Sequence, residues 1–374
     1  MVIGVIAEYN PFHNGHYYHL NYLKKNYPDS LILIALTGNF TQRGEPTLAN
    51  KWTRAQWAIE AGADLVFEIP FALASGNAET YAEAGIRLLY SLGADYLSFG
   101  VRVNAKGAYK TLAKKIYQAK ESSSFQKDLK TSSLPQALEK NLTLSSVEKA
   151  ILRSPNDILA LEYHQAILKN KLPLQVLPLQ RIKGKDSFKE IILSASDLRK
   201  LAHKKAWVKA KPAMPDFSYQ DFYGLPFSYE ERLKDLFVYN YHFHPEKNPP
   251  FADPGIQHYL YKHWILKNQS LDQIANKKYT QAHLQRNILH LVFGLDKNQS
   301  KEMLEKVSNY HRLLAGQHQA LSYLRPFQVQ TRFIKGLQSP LKQLYEMSQK
   351  ESLLRDLLLQ DQSPSEFKQG PILL

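Results

Sequence analysis

Val2-Ile3-Gly4-Val5-Ile6-Ala7-Glu8-Tyr9-Asn10-Pro11-Phe12-His13-Asn14-Gly15-His16 opens the chain. Val2–Ala7 is a short continuous apolar run, which reads as a strand buried on both faces. From His16 to Asn26 the apolar residues recur at helical spacing. The joint between the two is an H-x-G-H turn, and its position at a strand-to-helix junction decides the reading. Gly15 lets a phosphate approach the backbone with no Cβ in the way. The helix that follows presents free N–H groups and the positive end of its dipole. His13 and His16 can donate hydrogen bonds to an α-phosphate while charge builds on it. The plain alternative is a turn bearing two exposed histidines, and the placement favours nucleotide binding over it. Zinc ligation is disfavoured, since no third ligand lies nearby; no metal site is expected.

Outward from this turn the two periods alternate. Leu31–Leu36 reads as a second buried strand, Trp52–Ala61 as a helix and Asp64–Ile69 as a third strand stopped by Pro70. Glu79–Leu92 reads as a helix ended by Gly93, and Tyr96–Phe99 as a fourth strand closed by Gly100. Such alternation predicts a Rossmann-like α/β fold, a parallel sheet covered on both faces that binds its ligand at the carboxyl ends of the strands. Residues 104–150 read as a polar helical insertion, Asn156–Asn170 as a helix, Leu174–Leu179 as the last core strand and Ser196–His203 as a further helix. Past 205 prolines punctuate the chain, and Leu271–Phe293, Lys301–Leu314 and Leu341–Leu359 read as helices. Two domains are expected, 1–205 and a mainly helical 206–374.

Composition narrows the function. The 374 residues are 44% hydrophobic, which excludes a wholly disordered chain. Cysteine is absent, so disulfides, thiolate zinc sites and cysteine nucleophiles are excluded. No apolar run approaches the ~20 residues that span a bilayer, so no membrane partner is expected. The N-terminus lacks a basic region and meets Glu8 too early for a signal peptide, so a cytoplasmic location is expected. Net charge is +14. It divides as −3 over residues 1–100, +10 over 101–200 and +7 over 201–374. A basic surface on that scale favours a polyanionic partner, most often nucleic acid. Nothing in the sequence signals an oligomeric state.

A second element is Ile191-Ile192-Leu193-Ser194-Ala195-Ser196-Asp197-Leu198-Arg199. Ser194 and Ser196 can cap the helix they precede or bond phosphate oxygens. Arg199, one turn in, can reach the β- and γ-phosphates.

These residues resemble the HxGH nucleotidyltransferase superfamily, with Leu193–Arg199 as a loose form of its second motif. Three longer strings sharpen the likeness: Glu8–His16, Thr37-Gly38-Asn39-Phe40-Thr41-Gln42-Arg43-Gly44-Glu45-Pro46 and Gly62–Phe71. With Ser154-Pro155-Asn156-Asp157-Ile158-Leu159 and Lys278-Tyr279-Thr280, the set is similar to the tRNA(Met) cytidine acetate ligase family over most of residues 1–300. The resemblance implies acetate activation by ATP as acetyl-adenylate, followed by acetylation of the wobble cytidine of elongator tRNA(Met). It implies an ATP site of Ile6, Ala7, Glu8, Tyr9, Asn10, Pro11, Phe12, His13, Asn14, Gly15, His16, Tyr17, Tyr18 and His19, joined by Gly100, Asn156 and Arg181. His13 and His16 would be the catalytic pair, with Ser194, Ser196 and Arg199 on phosphate. Magnesium is expected with ATP. Asn156 has an alternative role as a helix N-cap, and Arg181 as an RNA contact. Arg43 either meets phosphate or pairs with Glu45. Lys277, Lys278 and Arg286 are expected to meet tRNA phosphates, which makes 206–374 the tRNA-binding half.

The chain departs from the family pattern at Phe99-Gly100-Val101-Arg102, where Phe-Gly-Ser-Glu is usual. Two alternatives stay open: a cofactor-type adenylyltransferase, and a tRNA-binding relative with weakened catalysis.

Overall fold

The computed structural model describes residues 1–374 except 106, 133, 182–183, 186–190, 226–227, 245–254, 277, 332–341, 365 and 367. At 130–131, 134–135, 155–156, 184–185 and 297 it describes backbone alone.

Five parallel strands form the centre: β1 (Val2–Ala7), β2 (Leu31–Thr37), β3 (Leu65–Ile69), β4 (Tyr96–Val101) and β5 (Gln175–Gln180). A small antiparallel pair, β6 (Gly184–Lys185) and β7 (Ile191–Ile192), stands apart. Two late strands, β8 (Leu313–Gly316) and β9 (Ile372–Leu373), complete a seven-stranded sheet in the order β5-β4-β1-β2-β3-β8-β9. β8 runs antiparallel to β3 and parallel to β9.

The strands are apolar throughout because both faces are buried. Ile32, Ile34 and Leu36 join the core under helices Asn14–Asn26 and Lys51–Glu60. Their neighbours Leu33 and Ala35 face the opposite core, under helices Ala78–Ser91 and Pro155–Lys169. That alternation is the period of two expected of a strand covered on both sides. Residues 104–150 form the helices Ala108–Ala119, Ser123–Thr131, Leu134–Asn141 and Ser146–Arg153.

Two expected helices are corrected. Over Lys301–Leu314, the helix Lys297–Lys306 ends before β8, because Leu313 and its neighbours fill a sheet edge beside β3. Over Leu271–Phe293, the chain breaks into Leu271–Ile274 and Gln281–Phe293. The Asn276 side chain accepts from the Lys278 and Tyr279 N–H groups, both at 2.9 Å, and Thr280 caps the second helix. Such local side-chain bonds compete with a continuous helix. Position 205 does not interrupt the packing: the core that holds Phe99 and Leu161 also holds Phe237, Trp264 and Ile288.

Candidate active site

The carboxyl end of β1 turns through Tyr9, whose φ of 49° is left-handed, and a cis Asn10–Pro11 bond. A tyrosine holds that conformation only where its surroundings over-determine it. Here the Tyr9 ring is buried, edge-on to Phe12 at 4.8 Å and to His16 at 4.9 Å.

The two histidines cap the helix that follows. His13 is the N-cap of Asn14–Asn26, and its Nδ1 accepts from the Gly15 N–H at 3.0 Å. In return the His13 N–H donates to His16 Nδ1 at 3.3 Å. The rings stack with centroids 3.7 Å apart. Each Nδ1 is thereby an acceptor, so each neutral ring carries its proton on Nε2, which bonds no acceptor among the described residues. Burial, and secondarily the charge of Arg181, lowers His13 to a pKa of about 3. Burial, then His13 and Arg181, puts His16 well below the ordinary histidine value. The turn therefore offers two uncharged N–H donors.

Gly15 has a structural use besides the expected access for phosphate. A Cβ there would lie 2.9 Å from His13 Cε1 and 3.0 Å from its Nδ1. The space a side chain would fill holds the returning imidazole. Gly100 is a second such gap, since its Cβ would lie 3.0 Å from Arg181 Nε and 3.2 Å from Cγ. The Arg181 N–H donates to the Val101 carbonyl at 2.7 Å, which pins the arginine at the carboxyl end of β4. The structure thus brings together His13, His16, Gly100 and Arg181.

The other residues expected here hold the turn in place. His19 Nε2 donates to Ser98 Oγ at 2.8 Å, and Ser98 donates to the Leu177 carbonyl at 3.0 Å. Burial and then Arg181 lower His19 to about 4. Glu8 accepts from the Gln42 N–H at 2.7 Å, and burial raises its pKa. Asn10 Oδ1 accepts from the Leu48 N–H at 2.9 Å. The Asn14 amide donates to the Ile191 and Pro212 carbonyls at 3.1 and 3.0 Å, joining the turn to β7. The Phe12 carbonyl accepts from Ser218, and Tyr17 approaches Phe217 edge-on at 6.3 Å. Tyr18 leans toward Tyr22, ring centroids 6.4 Å apart. Ile6 and Ala7 are core-facing strand residues: a Cβ at Gly85 would meet Ile6 Cδ1 at 2.6 Å.

The second motif is similarly engaged. Ser194 is the N-cap of helix Ala195–His203 in a reciprocal capping box with Asp197, and its hydroxyl lies 2.6 Å from that carboxylate. Ser196 is exposed. Arg199 donates to the Asn10 carbonyl at 2.8 Å and faces Glu45 at 3.4 Å, so Glu45 pairs with Arg199 rather than with Arg43. The N-cap of helix Pro155–Lys169 is Ser154, not Asn156, whose side chain lies outside the described residues. Lys277 also lies outside them. Lys278 sits over the Tyr279 ring at 4.7 Å. Arg286 is half-buried against the loop at Gly44, and burial, then Arg43, lowers it to about 10.

The sequence reading missed Arg54. Fully buried, it donates to the carbonyls of Glu8 at 2.6 Å, Thr37 at 3.1 Å and Ala49 at 3.0 Å, and to that of Gly38. It ties the carboxyl ends of β1 and β2 beneath the site. Ser98, a polar residue inside the apolar run Tyr96–Phe99, carried a readable signal that was not used.

A family description of HIGH nucleotidyl transferases matches residues 1–369. A tRNA(Met) cytidine acetate ligase of Caldicellulosiruptor saccharolyticus is 31% identical over 99% of this chain and 98% of its own length. The chain belongs to the tRNA(Met) cytidine acetate ligase family. A family member from Geobacillus is 32% identical over 86% of the chain and 85% of its own length. Another, from Mycoplasma mobile, is 31% identical over 79% of the chain and all of its own length. The fold is that of Thermotoga maritima TmcAL crystallised with alpha-thio ATP, with a TM-score of 0.84, 23% identity and coverage of 100% of this chain and 99% of that one.

Proposed function

We propose that this protein activates acetate with ATP as acetyl-adenylate and then acetylates the exocyclic amine of the wobble cytidine of elongator tRNA(Met). The observation that carries the reading is the interlocked His13–His16 cap, two neutral Nε2–H donors at the carboxyl end of β1, in a chain of this family.

Acetate is ionised at neutral pH, so its attack on the α-phosphorus needs no general base. One acetate oxygen bonds to phosphorus as the bridging oxygen departs with pyrophosphate. Negative charge grows on the α-phosphoryl oxygens, where preorganised donors act most strongly. His13 and His16 supply N–H donors there, and Arg181 supplies fixed positive charge to the phosphates beyond. The cytidine amine then attacks the acetyl carbonyl, the acyl–phosphate C–O bond breaks, AMP leaves with that electron pair, and the proton of the amine passes to water. Magnesium enters with ATP as part of the substrate; among the described residues no group of three or more His, Asp or Glu side chains converges to hold a metal ion. The basic second half, with Lys278 and Arg286, is read as meeting tRNA phosphates, with the target base splayed out of its loop. Among the described residues no helix is long and apolar enough to cross a membrane, and we place the enzyme in the cytoplasm with its tRNA.

The test incubates purified protein with ATP, radiolabelled acetate and a tRNA(Met) transcript, beside His16→Ala. Label in the tRNA, lost in the variant, is expected. Adenylylation of a small molecule without acetate or RNA would instead mark a cofactor-type adenylyltransferase. Tight tRNA binding with no pyrophosphate release would mark a relative with weakened catalysis.

A further inference from the structure

β4 and β5 pair in parallel with Gly100 opposite Leu179 and Val101 opposite Gln180. The Arg181 N–H extends this ladder to the Val101 carbonyl. Just past the last paired residues, one more step brings Arg102 next to Arg181, whose pKa is lowered by burial and then by the charge of Arg102. Register partners of a parallel pair share a face, so Gly100, Arg102 and Arg181 stand on one face. It is the face of Ser98, which helix Asn14–Asn26 covers through His19. The β1–β4 register, continued from Val5 opposite Ser98, brings Ala7 beside Gly100, so this corner adjoins the histidine turn.

Two adjacent guanidiniums repel unless something negative lies between them. Among the described residues the Arg102 guanidinium makes no ion pair or hydrogen bond. Asp157, fully buried at this corner, accepts through Oδ1 from the Arg102 backbone N–H at 2.8 Å and from the Tyr109 hydroxyl at 2.7 Å; its charge offsets part of that of Arg181 from behind the strand, but it bonds neither guanidinium among the described residues. Arg102 thus has a backbone fixed by a buried carboxylate and an exposed side chain. The neighbouring histidines add donors without charge, so among the described side chains the positive charge of the corner comes from the two arginines. A short chain of phosphates, with several charges in a row, fits that pair, because guanidinium forks match phosphate oxygens.

Building on the ATP reading above, we propose that Arg102 and Arg181 form a two-guanidinium seat for the β- and γ-phosphates of ATP and for departing pyrophosphate, with Arg102 as its outer member. AMP, which lacks those phosphates, does not use the seat.

The experiment measures binding of inorganic pyrophosphate, ATP and AMP to the full chain by calorimetry, for the natural protein, Arg102→Gln and Arg102→Lys. Arg102→Gln is expected to weaken pyrophosphate and ATP about tenfold or more, the scale of one charge-assisted contact, and to leave AMP within about twofold. Arg102→Lys, keeping the charge without the fork, is expected to recover part of the loss. An unchanged thermal midpoint, expected for an exposed side chain, shows that the fold is intact. Equal pyrophosphate binding in the natural protein and Arg102→Gln overturns the inference. So does a loss of tRNA affinity with ATP and pyrophosphate unchanged, which would assign Arg102 to the RNA backbone. Failure of the natural protein itself to bind ATP or pyrophosphate overturns the ATP reading, and this inference with it.

Discussion

Replacing His16 with asparagine separates the two tasks its ring performs. Nδ1 accepts from the His13 N–H at 3.3 Å and so holds the turn; Nε2 is left as a donor. Asparagine carries Oδ1 on Cγ, as many bonds from the backbone as Nδ1, so it keeps the capping acceptor and loses the outer donor. Glutamine does the reverse, since its Nε2 lies where the imidazole Nε2 does and nothing occupies the Nδ1 position. Losing one donor aimed at developing charge costs about 10²–10³ in kcat. Losing a capping contact costs about 1 kcal/mol of stability. His16→Asn is therefore expected to keep its thermal midpoint and its KM for ATP while kcat falls about 10²–10³-fold. His16→Gln is expected to lose stability and keep more of the rate. The assay is acetate-dependent pyrophosphate release, with tRNA labelling in parallel and a thermal melt of each variant. Full kcat in His16→Asn would refute the assignment of Nε2 as the working donor. A raised KM with unchanged kcat would show instead that the ring contributes to ground-state binding.

Three further outcomes follow from the same geometry. Gly15→Ala puts a Cβ within 3.0 Å of the His13 ring, so pyrophosphate release should fall about 10²-fold as that donor is displaced, with ATP binding changing less. His19 has its pKa lowered to about 4, so the unfolded chain binds its proton first and stability falls as pH drops below about 6.5; urea unfolding at pH 7.5 and pH 5 should lose about 2 kcal/mol more in the natural protein than in His19→Gln, whose amide keeps the bond to Ser98. Arg54→Lys offers a single ammonium to carbonyls now served by a fork, so at least one stays buried and unpaired; a loss of about 3 kcal/mol is expected from urea midpoints, and a loss under 1 kcal/mol would contradict the role given to Arg54.

The parallel centre of the fold was legible because doubly buried strands are apolar at every position, and Leu31–Leu36 has no other reading. The strand β8 was not, because Leu313–Gly316 is four apolar residues whose partner, β3, lies far away in sequence; a short apolar run cannot be told from the end of a helix by its period. The site shows the same division. The positions of His13 and His16 at a strand-to-helix turn could be read, but not the reciprocal cap, which depends on both rings folding back on the backbone. Gly15 was read as leaving the backbone open to phosphate; that the absent Cβ also makes room for the His13 ring was not legible. Arg199 was read as able to reach phosphate; its bond to the Asn10 carbonyl, between segments 189 positions apart, is a contact that no local spacing reveals. Ser194 and Asp197, by contrast, carry the S-x-x-D capping pattern openly.

The late helix is tied to the histidine turn by buried hydrogen bonds, beside a buried ionic cluster. Lys51 lies 2.7 Å from Glu68 and 2.9 Å from Glu366, and Arg312 lies 3.1 Å from Glu366, all inside the protein. Burial opposes the charge on Lys51, but Glu366 and Glu68 outweigh it and hold the ammonium above the ordinary lysine value. From helix Lys342–Leu359, Arg355 donates to the Thr47 carbonyl at 2.8 Å and to that of Leu48. The Leu48 N–H in turn donates to Asn10, next to the cis peptide of the turn. Hydrophobic packing tolerates sliding by a fraction of a side chain; paired buried charges do not, since each displaced partner leaves a charge without compensation. Such intolerance matters at an active site, where a displacement of about 1 Å at the reacting atoms costs about 10²-fold in rate. These buried contacts therefore act on geometry more than on net stability, fixing the helix Lys342–Leu359 against the Thr47–Leu48 segment that holds Asn10 of the histidine turn.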